Sequence, residues 1–191
     1  KKGGIMKRAL LLAAMIFILT ANFAFALSEG KEYFVKTALH AVRGDEIYWV
    51  NYTDKSILIG TGEKVLITSI SGHKIKFELG GKTYSFAFTE KGNSGTDELY
   101  NKFFTERDIK DETAKYPADI KDKIKRGVAE KGMTKEQVLR AVGCPALAGN
   151  QKTYNLTLKE IMASDRWIYY FNRFNRWQAE FKDGRLVDIK N

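Results

Sequence analysis

The chain has 191 residues, a formal net charge of +9 and a single cysteine. Because one cysteine cannot form an internal disulfide, the fold must be held together by its hydrophobic core. Basic and acidic residues are mixed through residues 102–140, as on solvated helix faces, which argues against a nucleic-acid-binding surface.

The first 26 residues have the features of a secretory signal peptide. The basic pair Lys7 and Arg8 precedes an unbroken apolar run at residues 9–19, and small residues follow up to Ala26. We therefore predict a signal peptide over residues 1–26, with cleavage after Ala26.

Export would change both the charge and the location of the chain. Removing the signal peptide leaves 165 residues and lowers the formal net charge from +9 to +5. The alternative is an uncleaved membrane anchor, but Thr20 and Asn22 interrupt the apolar run before it can span a bilayer. Leu27 stands where a lipid-anchored protein has cysteine. We expect a soluble periplasmic protein with at most weak contact with anionic lipid or cell wall.

The next part of the chain, residues 27–91, has the pattern of short strands. Apolar residues alternate through residues 33–41, 64–70 and 82–88, and glycine turns lie between several of these runs. About five short strands suit a small closed barrel, because closure removes exposed sheet edges. We predict an antiparallel SH3-like barrel here, followed by a polar linker at residues 92–116.

Residues 132–145 contain the signals for both ends of one short helix. Thr134 and Gln137 have the spacing of a capping box, and Met133 precedes the cap as half of a hydrophobic staple. A glycine for a left-handed turn and a proline that cannot continue the helix follow it. The predicted structural motif comprises Gly132, Met133, Thr134, Gln137, Val138, Gly143 and Pro145.

Cys144 follows the C-terminal end of this helix, where the helix dipole disfavours a thiolate. Both histidines, His40 and His73, lie in the strand-rich half of the sequence. The sequence has no evident paired carboxylates, phosphate-binding glycine loop or metal-ligand spacing. We expect a buried, inert thiol, and we predict no enzymatic activity, no cofactor and no metal.

The last third of the chain is predicted to be an α+β domain at residues 117–191. Strand patterns at residues 166–172, 176–181 and 185–189 follow two short helices, and Asp183 begins a two-residue hairpin turn. The predicted sheet is an antiparallel three-stranded meander packed on the helices. Its predicted core residues are Trp177, Ala179, Phe181, Val187 and Ile189.

Three stretches resemble the SmpA/OmlA family, the BamE-like small lipoproteins of the bacterial outer membrane. They are GMTKEQVLRAVGCP at residues 132–145, WIYY at residues 167–170 and FKDGRLVDI at residues 181–189. The resemblance covers about residues 117–191. It implies two helices on a three-stranded antiparallel sheet and a non-catalytic role in binding other envelope proteins, such as the machine that inserts outer-membrane barrels.

The sequence therefore predicts an exported interaction protein of the bacterial cell envelope, with outer-membrane assembly components among its expected partners. The alternative is a periplasmic module that binds a peptide or cell-wall glycan through aromatic residues of the first domain. Aromatic residues are abundant in both halves, and a surplus of them marks partner surfaces. The candidate partner-binding residues are Trp167, Tyr169, Tyr170, Arg173, Arg176, Tyr48, Trp49 and Tyr52.

Overall fold

The computed structural model describes residues 26–90 and 96–191, which form two β-sheets and several short helices. The predicted signal peptide lies outside the described residues except for Ala26, and so do residues 91–95. Each helix in the described part of the chain is too short or too polar to cross a membrane.

The first sheet has eight strands in the spatial order β4-β2-β3-β7-β6-β5-β1-β8. All neighbouring strands are antiparallel except β3 and β7, which run parallel. The strands are β1 (Glu32–Val35), β2 (Leu39–Val42), β3 (Glu46–Tyr48), β4 (Ile57–Ile59), β5 (Lys64–Ser71), β6 (Lys74–Leu79), β7 (Lys82–Ala87) and β8 (Phe104–Thr105).

The second sheet has five antiparallel strands in the order β10-β9-β11-β12-β13. These are β9 (Leu147–Ala148), β10 (Gln151–Lys152), β11 (Arg166–Tyr170), β12 (Arg176–Lys182) and β13 (Arg185–Lys190). The helices are α1 (Asp97–Tyr100), α2 (Lys110–Ala114), α3 (Ala118–Arg126), α4 (Lys135–Val142) and α5 (Leu158–Ala163), and a 3-10 turn covers Thr153–Asn155.

The predicted fold class is wrong. The sequence predicts a small SH3-like barrel followed by two helices on a three-stranded sheet, whereas the chain is mostly β, with an eight-stranded curled sheet and a five-stranded sheet. Strands β8, β9 and β10 have only two residues each, too few to show an alternating pattern in the sequence. Their pairing depends on segments that are distant along the chain.

The first sheet curls because its chain connections require it. β1 and β2 lie five strands apart in the sheet, which is about 24 Å in a flat sheet. Only residues 36–38 join them, and this connection reaches at most about 14 Å. The two ends of the sheet must therefore approach one another. The alternating run at residues 33–41 is buried as its pattern indicates, but it forms two strands and a crossing.

The crossing at residues 36–38 is also where the two sheets meet. The Ala38 amide donates to the Leu139 carbonyl of α4 (3.2 Å), and the Lys36 amide donates to the Phe103 carbonyl (2.7 Å). One hydrophobic cluster contains residues of both sheets and of α4. The two sheets therefore share a core.

Part of the predicted linker contributes to the first sheet, because Phe104–Thr105 form β8. Phe103 and Phe104 are buried, and the Phe103 ring lies 4.7 Å from that of Phe86 in an edge-on arrangement. The Phe104 ring lies 5.8 Å from that of Phe77. Strand β8 thus adds aromatic packing to one end of the curled sheet.

Most of the predicted second-sheet core is buried, but Val187 is not. The register between β12 and β13 shifts at Glu180, so that Phe181 pairs with Leu186 while Ala179 pairs with Ile189. This bulge breaks the two-residue alternation of β13. Leu186 is buried in the position predicted for Val187, which is 46% exposed.

Candidate functional site: the hairpin tip

The most exposed large apolar side chain of the described residues lies in the turn between β11 and β12. We call residues 171–176 the hairpin tip. Phe174 is 85% exposed and Phe171 is 39% exposed, although both follow a strand in which Trp167 and Tyr169 are buried. Two exposed phenylalanines in one turn form a small apolar patch, and such patches mark interaction surfaces.

The side chain of Asn172 holds the tip in one conformation. Its Oδ1 accepts hydrogen bonds from the amides of Phe174 and Asn175, both at 3.0 Å. The Phe171 amide donates to the Asn175 carbonyl at 2.9 Å and closes the base of the turn. Phe174 is therefore presented from a fixed turn, which lowers the conformational entropy lost on binding.

A loop from the first sheet supports the tip, and we call residues 49–56 the bracing loop. The amides of Thr53 and Asp54 donate to the carbonyls of Tyr170 and Phe171, at 3.3 and 2.8 Å. Asn172 Nδ2 also donates to Asp54 Oδ2 (3.3 Å). The tip is consequently held by both sheets.

Asn51 anchors the bracing loop to the junction of the sheets. Its backbone has a positive φ of 56°, which asparagine tolerates better than most residues. Its Oδ1 accepts from the His40 amide (2.9 Å), and its Nδ2 donates to the Val142 carbonyl at the end of α4 (3.0 Å). Gly143 lies directly against it: a Cβ there would be 2.0 Å from the Ala38 carbonyl oxygen and 2.3 Å from Asn51 Nδ2.

The charges around the tip are mixed. Within the described residues, neither Arg173 nor Arg176 forms an ion pair. An open groove of about 620 Å³ is lined by Arg176, with polar walls from Asp54 and Asn175 and apolar walls from the tip phenylalanines. The surface can therefore bury an aromatic ring and pair two guanidinium groups with acceptors.

The prediction that Trp167 and Tyr169 bind a partner is wrong, because both side chains lie in the core. Trp167 Nε1 donates to the Ile161 carbonyl of α5 (3.0 Å), and the Tyr169 hydroxyl donates to the Gly143 carbonyl (3.2 Å). The Tyr169 ring stacks on Trp177 with 4.3 Å between centroids. Both side chains point to the face that the helices cover.

The other candidates remain at least partly accessible, and the structure brings several together. Tyr170 is half-buried, while Arg173 and Arg176 are exposed on the tip. Tyr48, Trp49 and Tyr52 are half-buried in or next to the bracing loop, and the Tyr48 and Tyr52 rings lie 6.2 Å apart. The Trp49 ring packs edge-on against Tyr154 at 4.7 Å.

The predicted structural motif forms the two ends of α4. The capping box is present: Thr134 Oγ1 accepts from the Gln137 amide (3.2 Å), and Gln137 Oε1 accepts from the Thr134 amide (2.8 Å). Met133 and Val138 are fully buried. Gly143 has a positive φ of 83°, but its ψ of −169° leads the chain into an extended segment instead of a left-handed turn.

Cys144 is buried at the junction of the sheets, and burial raises the pKa of its thiol. Its Sγ contacts the Thr37 hydroxyl at 3.7 Å. The buried Lys102 ammonium lies in the same region and donates to the Thr153 carbonyl at 2.6 Å. Burial lowers the pKa of Lys102 to about 8. The environment of the thiol is therefore that of a core residue.

His40 is buried beside the bracing loop. The Ser56 hydroxyl donates to the Thr53 carbonyl (2.9 Å), so it accepts from His40 Nδ1 (2.9 Å). His40 Nε2 is then the unprotonated nitrogen, and it has no hydrogen-bond partner within the described residues. Burial lowers the pKa of His40 to about 4, because protonation would place a charge where nothing solvates it.

Sequence reasoning missed Phe171, Phe174 and Asn51. The two phenylalanines had a detectable signal, since FNRFNR combines apolar residues with turn-forming asparagines between two strand patterns. Asn51 had none, because its partners lie far along the chain. Among the residues described, no group of three or more His, Cys, Asp or Glu is placed to hold a metal ion.

Comparison of the chain with protein-family models, curated proteins and solved structures finds no match. The site must therefore be interpreted from its own geometry. That geometry combines one projecting aromatic ring, two arginines without ion pairs among the described residues and a rigid turn.

Proposed function

We propose that this chain is an exported, non-catalytic interaction protein of the bacterial cell envelope, which docks onto another envelope protein through its hairpin tip. The observation that carries the proposal is Phe174, an aromatic ring 85% exposed on a turn closed by its own side-chain hydrogen bonds. The signal-peptide pattern of residues 1–26 supports the cellular location.

The composition of the tip is that of a binding hot spot. Aromatic residues and arginine are enriched among the residues that contribute most to protein–protein affinity. Burial of Phe174 in a partner would contribute about 2–3 kcal/mol. Arg173 and Arg176 lie on either side of Phe174 in the sequence and are exposed, and each can form a bidentate bond with a partner carboxylate. The expected partner surface is an apolar pocket bordered by acidic residues.

A protein partner fits this surface better than an anionic bilayer does. Membrane docking by electrostatics depends on a cluster of basic residues, about 1 kcal/mol for each near the surface. The tip has two arginines, and Asp54 places a carboxylate in the same groove. Such mixed charge matches a protein surface of complementary pattern.

The proposal is tested by site-specific photocrosslinking in intact cells. A benzoylphenylalanine at position 174 of the full chain should form an adduct of one discrete mass with an envelope protein. A second variant that also carries Arg173→Glu and Arg176→Glu should lose this adduct, since both charges are then reversed. Components of the outer-membrane assembly machinery are the first candidates, because of the sequence resemblance.

The matched control is the same photoreactive residue at Val187, which is 46% exposed and belongs to the second sheet. No adduct of that mass should form there. Equal crosslinking at both positions, or an adduct that survives the two charge reversals, would show that the tip is not the docking surface.

The alternative of a peptide- or glycan-binding module has weaker support. Carbohydrate and peptide sites use aromatic rings with accessible faces, but the Trp49 ring packs against Tyr154. If Trp49→Ala abolished binding to isolated cell wall while leaving the Phe174 adduct intact, the glycan-binding function would replace the one proposed here.

A further inference from the structure

A second concave site lies on a different part of the molecule from the tip. Its three walls are helix α3, helix α2 and the turn that joins β4 to β5. The volume is about 370 Å³, within the range of small-molecule sites. We call it the α3 cleft, and its lining residues are Leu58, Gly60, Thr61, Glu63, Thr113, Lys121, Ile124 and Lys125.

The α3 cleft has an apolar side and a cationic side. Leu58 and Ile124 supply the aliphatic surface, and both are partly buried. Lys121 and Lys125 are exposed on the same helix, four residues apart, so their side chains project from one face. Two like charges at this spacing destabilise a helix slightly, and both lysines line the cleft.

The remaining charged residues of α3 are paired. Lys123 lies 2.8 Å from a Glu130 carboxylate oxygen, and Arg126 lies 3.4 Å from one of Asp122. Within the described residues, Lys121 and Lys125 have no such partner. The two lysines that line the cleft are therefore the basic residues of α3 whose charge is left for a ligand.

The hydroxyl groups of the cleft are already used as donors. Thr61 Oγ1 donates to the Arg140 carbonyl (2.9 Å), and Thr113 Oγ1 donates to the Lys110 carbonyl (2.9 Å). The side-chain donors left for a ligand are therefore the two lysines. Glu63 lines the cleft outside ion-pair distance of both lysines, and its carboxylate disfavours a ligand with several negative charges.

We propose that the α3 cleft binds a single-chain anionic amphiphile, a ligand with one carboxylate on an alkyl chain. The carboxylate would lie between Lys121 and Lys125, and the alkyl chain would cover Leu58 and Ile124. This inference is independent of the hairpin tip, because the two sites share no residue.

Calorimetric titration of the full chain with dodecanoate, below its critical micelle concentration, tests the proposal. Dodecanoate should bind at least tenfold more tightly than dodecyltrimethylammonium, which has the same chain and the opposite charge. Acetate, which has the carboxylate without the chain, should not bind measurably. Equal affinity for the two amphiphiles, equal affinity for acetate, or no binding of dodecanoate would overturn the proposal.

The double variant Lys121→Gln/Lys125→Gln should lose at least tenfold in dodecanoate affinity. Its melting temperature without ligand should be unchanged or slightly higher, because a repulsive pair has been removed. The control is Lys74→Gln/Lys76→Gln, which removes two exposed lysines of β6 and lowers the net charge equally. Unchanged affinity in the first variant, or an equal loss in the control, would show that the lysines of the α3 cleft do not hold the ligand.

Discussion

Helix α4 and the hairpin tip use the same local device for opposite purposes. In each, a polar side chain accepts from backbone amides two or three residues ahead: Thr134 at the start of α4, and Asn172 in the tip. Seven of the eight residues of α4 are buried, whereas the tip exposes Phe174 to water. The same side-chain-to-backbone hydrogen bonds therefore stabilise the fold where the neighbouring apolar residues are buried, and they present a binding surface where those residues are exposed.

The largest effect is expected where α4 ends against the bracing loop. Gly143→Ala should lower the free energy of unfolding by about 4 kcal/mol or more, because its Cβ would overlap the Ala38 carbonyl and the backbone must move. Gly184→Ala is the control: Gly184 also has a positive φ, but a Cβ there meets open space, and about 1–2 kcal/mol is expected. Equal losses in denaturant titrations would contradict the close approach of the sheets.

The bracing loop should respond to acid. Burial lowers the pKa of His40 to about 4, so the unfolded chain takes up a proton near pH 6.5 that the folded chain does not. The contribution of neutral His40 to the free energy of unfolding is fully present above pH 6.5, and it decreases by about 3 kcal/mol as the pH falls to 4. The measurement is the difference in unfolding free energy between the wild type and His40→Gln at pH 7, 5.5 and 4. A difference independent of pH would refute the assignment.

A buried valine of α4 should contribute more to the free energy of unfolding than an exposed valine. Val138→Ala should lower the free energy of unfolding by about 2 kcal/mol, through lost burial and the cavity that remains. Val187→Ala removes the same atoms from an exposed position and should change it by less than about 0.5 kcal/mol. Thermal and chemical denaturation of the pair measure the contrast directly.

Replacement of Thr134 and replacement of Asn172 should differ in their effects on stability and on binding. Thr134→Ala removes the cap of α4 and should cost about 1 kcal/mol of stability. Asn172→Ala loosens an exposed turn and should cost less than about 0.5 kcal/mol, but it should weaken the Phe174 adduct because the ring is no longer presented in one orientation. If Asn172→Ala left the adduct unchanged, pre-organisation of the tip would have no role in binding.

Sequence patterns predicted the structures that depend on neighbours along the chain. The capping box of α4, the buried face with Trp177, Ala179 and Phe181, and the hairpin turn after Asp183 all involve residues a few positions apart. In each of these, the hydrogen bonds or the alternation are local, so residue type and spacing are enough to specify them.

Patterns failed where the outcome depended on a distant segment. Trp167 and Tyr169 have the composition of a partner surface, but helix α5 and the Gly143 carbonyl occupy that face. Because of the bulge at Glu180, Leu186 and not Val187 lies in the core. The curled first sheet follows from a crossing that no local pattern encodes.

The sequence by itself determined the local structures: which residues begin and end α4, the alternation that buries Trp177, Ala179 and Phe181, and the hairpin turn at Asp183. Only the tertiary structure decided which of these elements are buried by distant segments, how the two sheets share one core, and that residues 49–56 support the tip. The physical reason is that propensity and spacing act over a few residues, whereas burial is decided by whichever distant segment packs against a face.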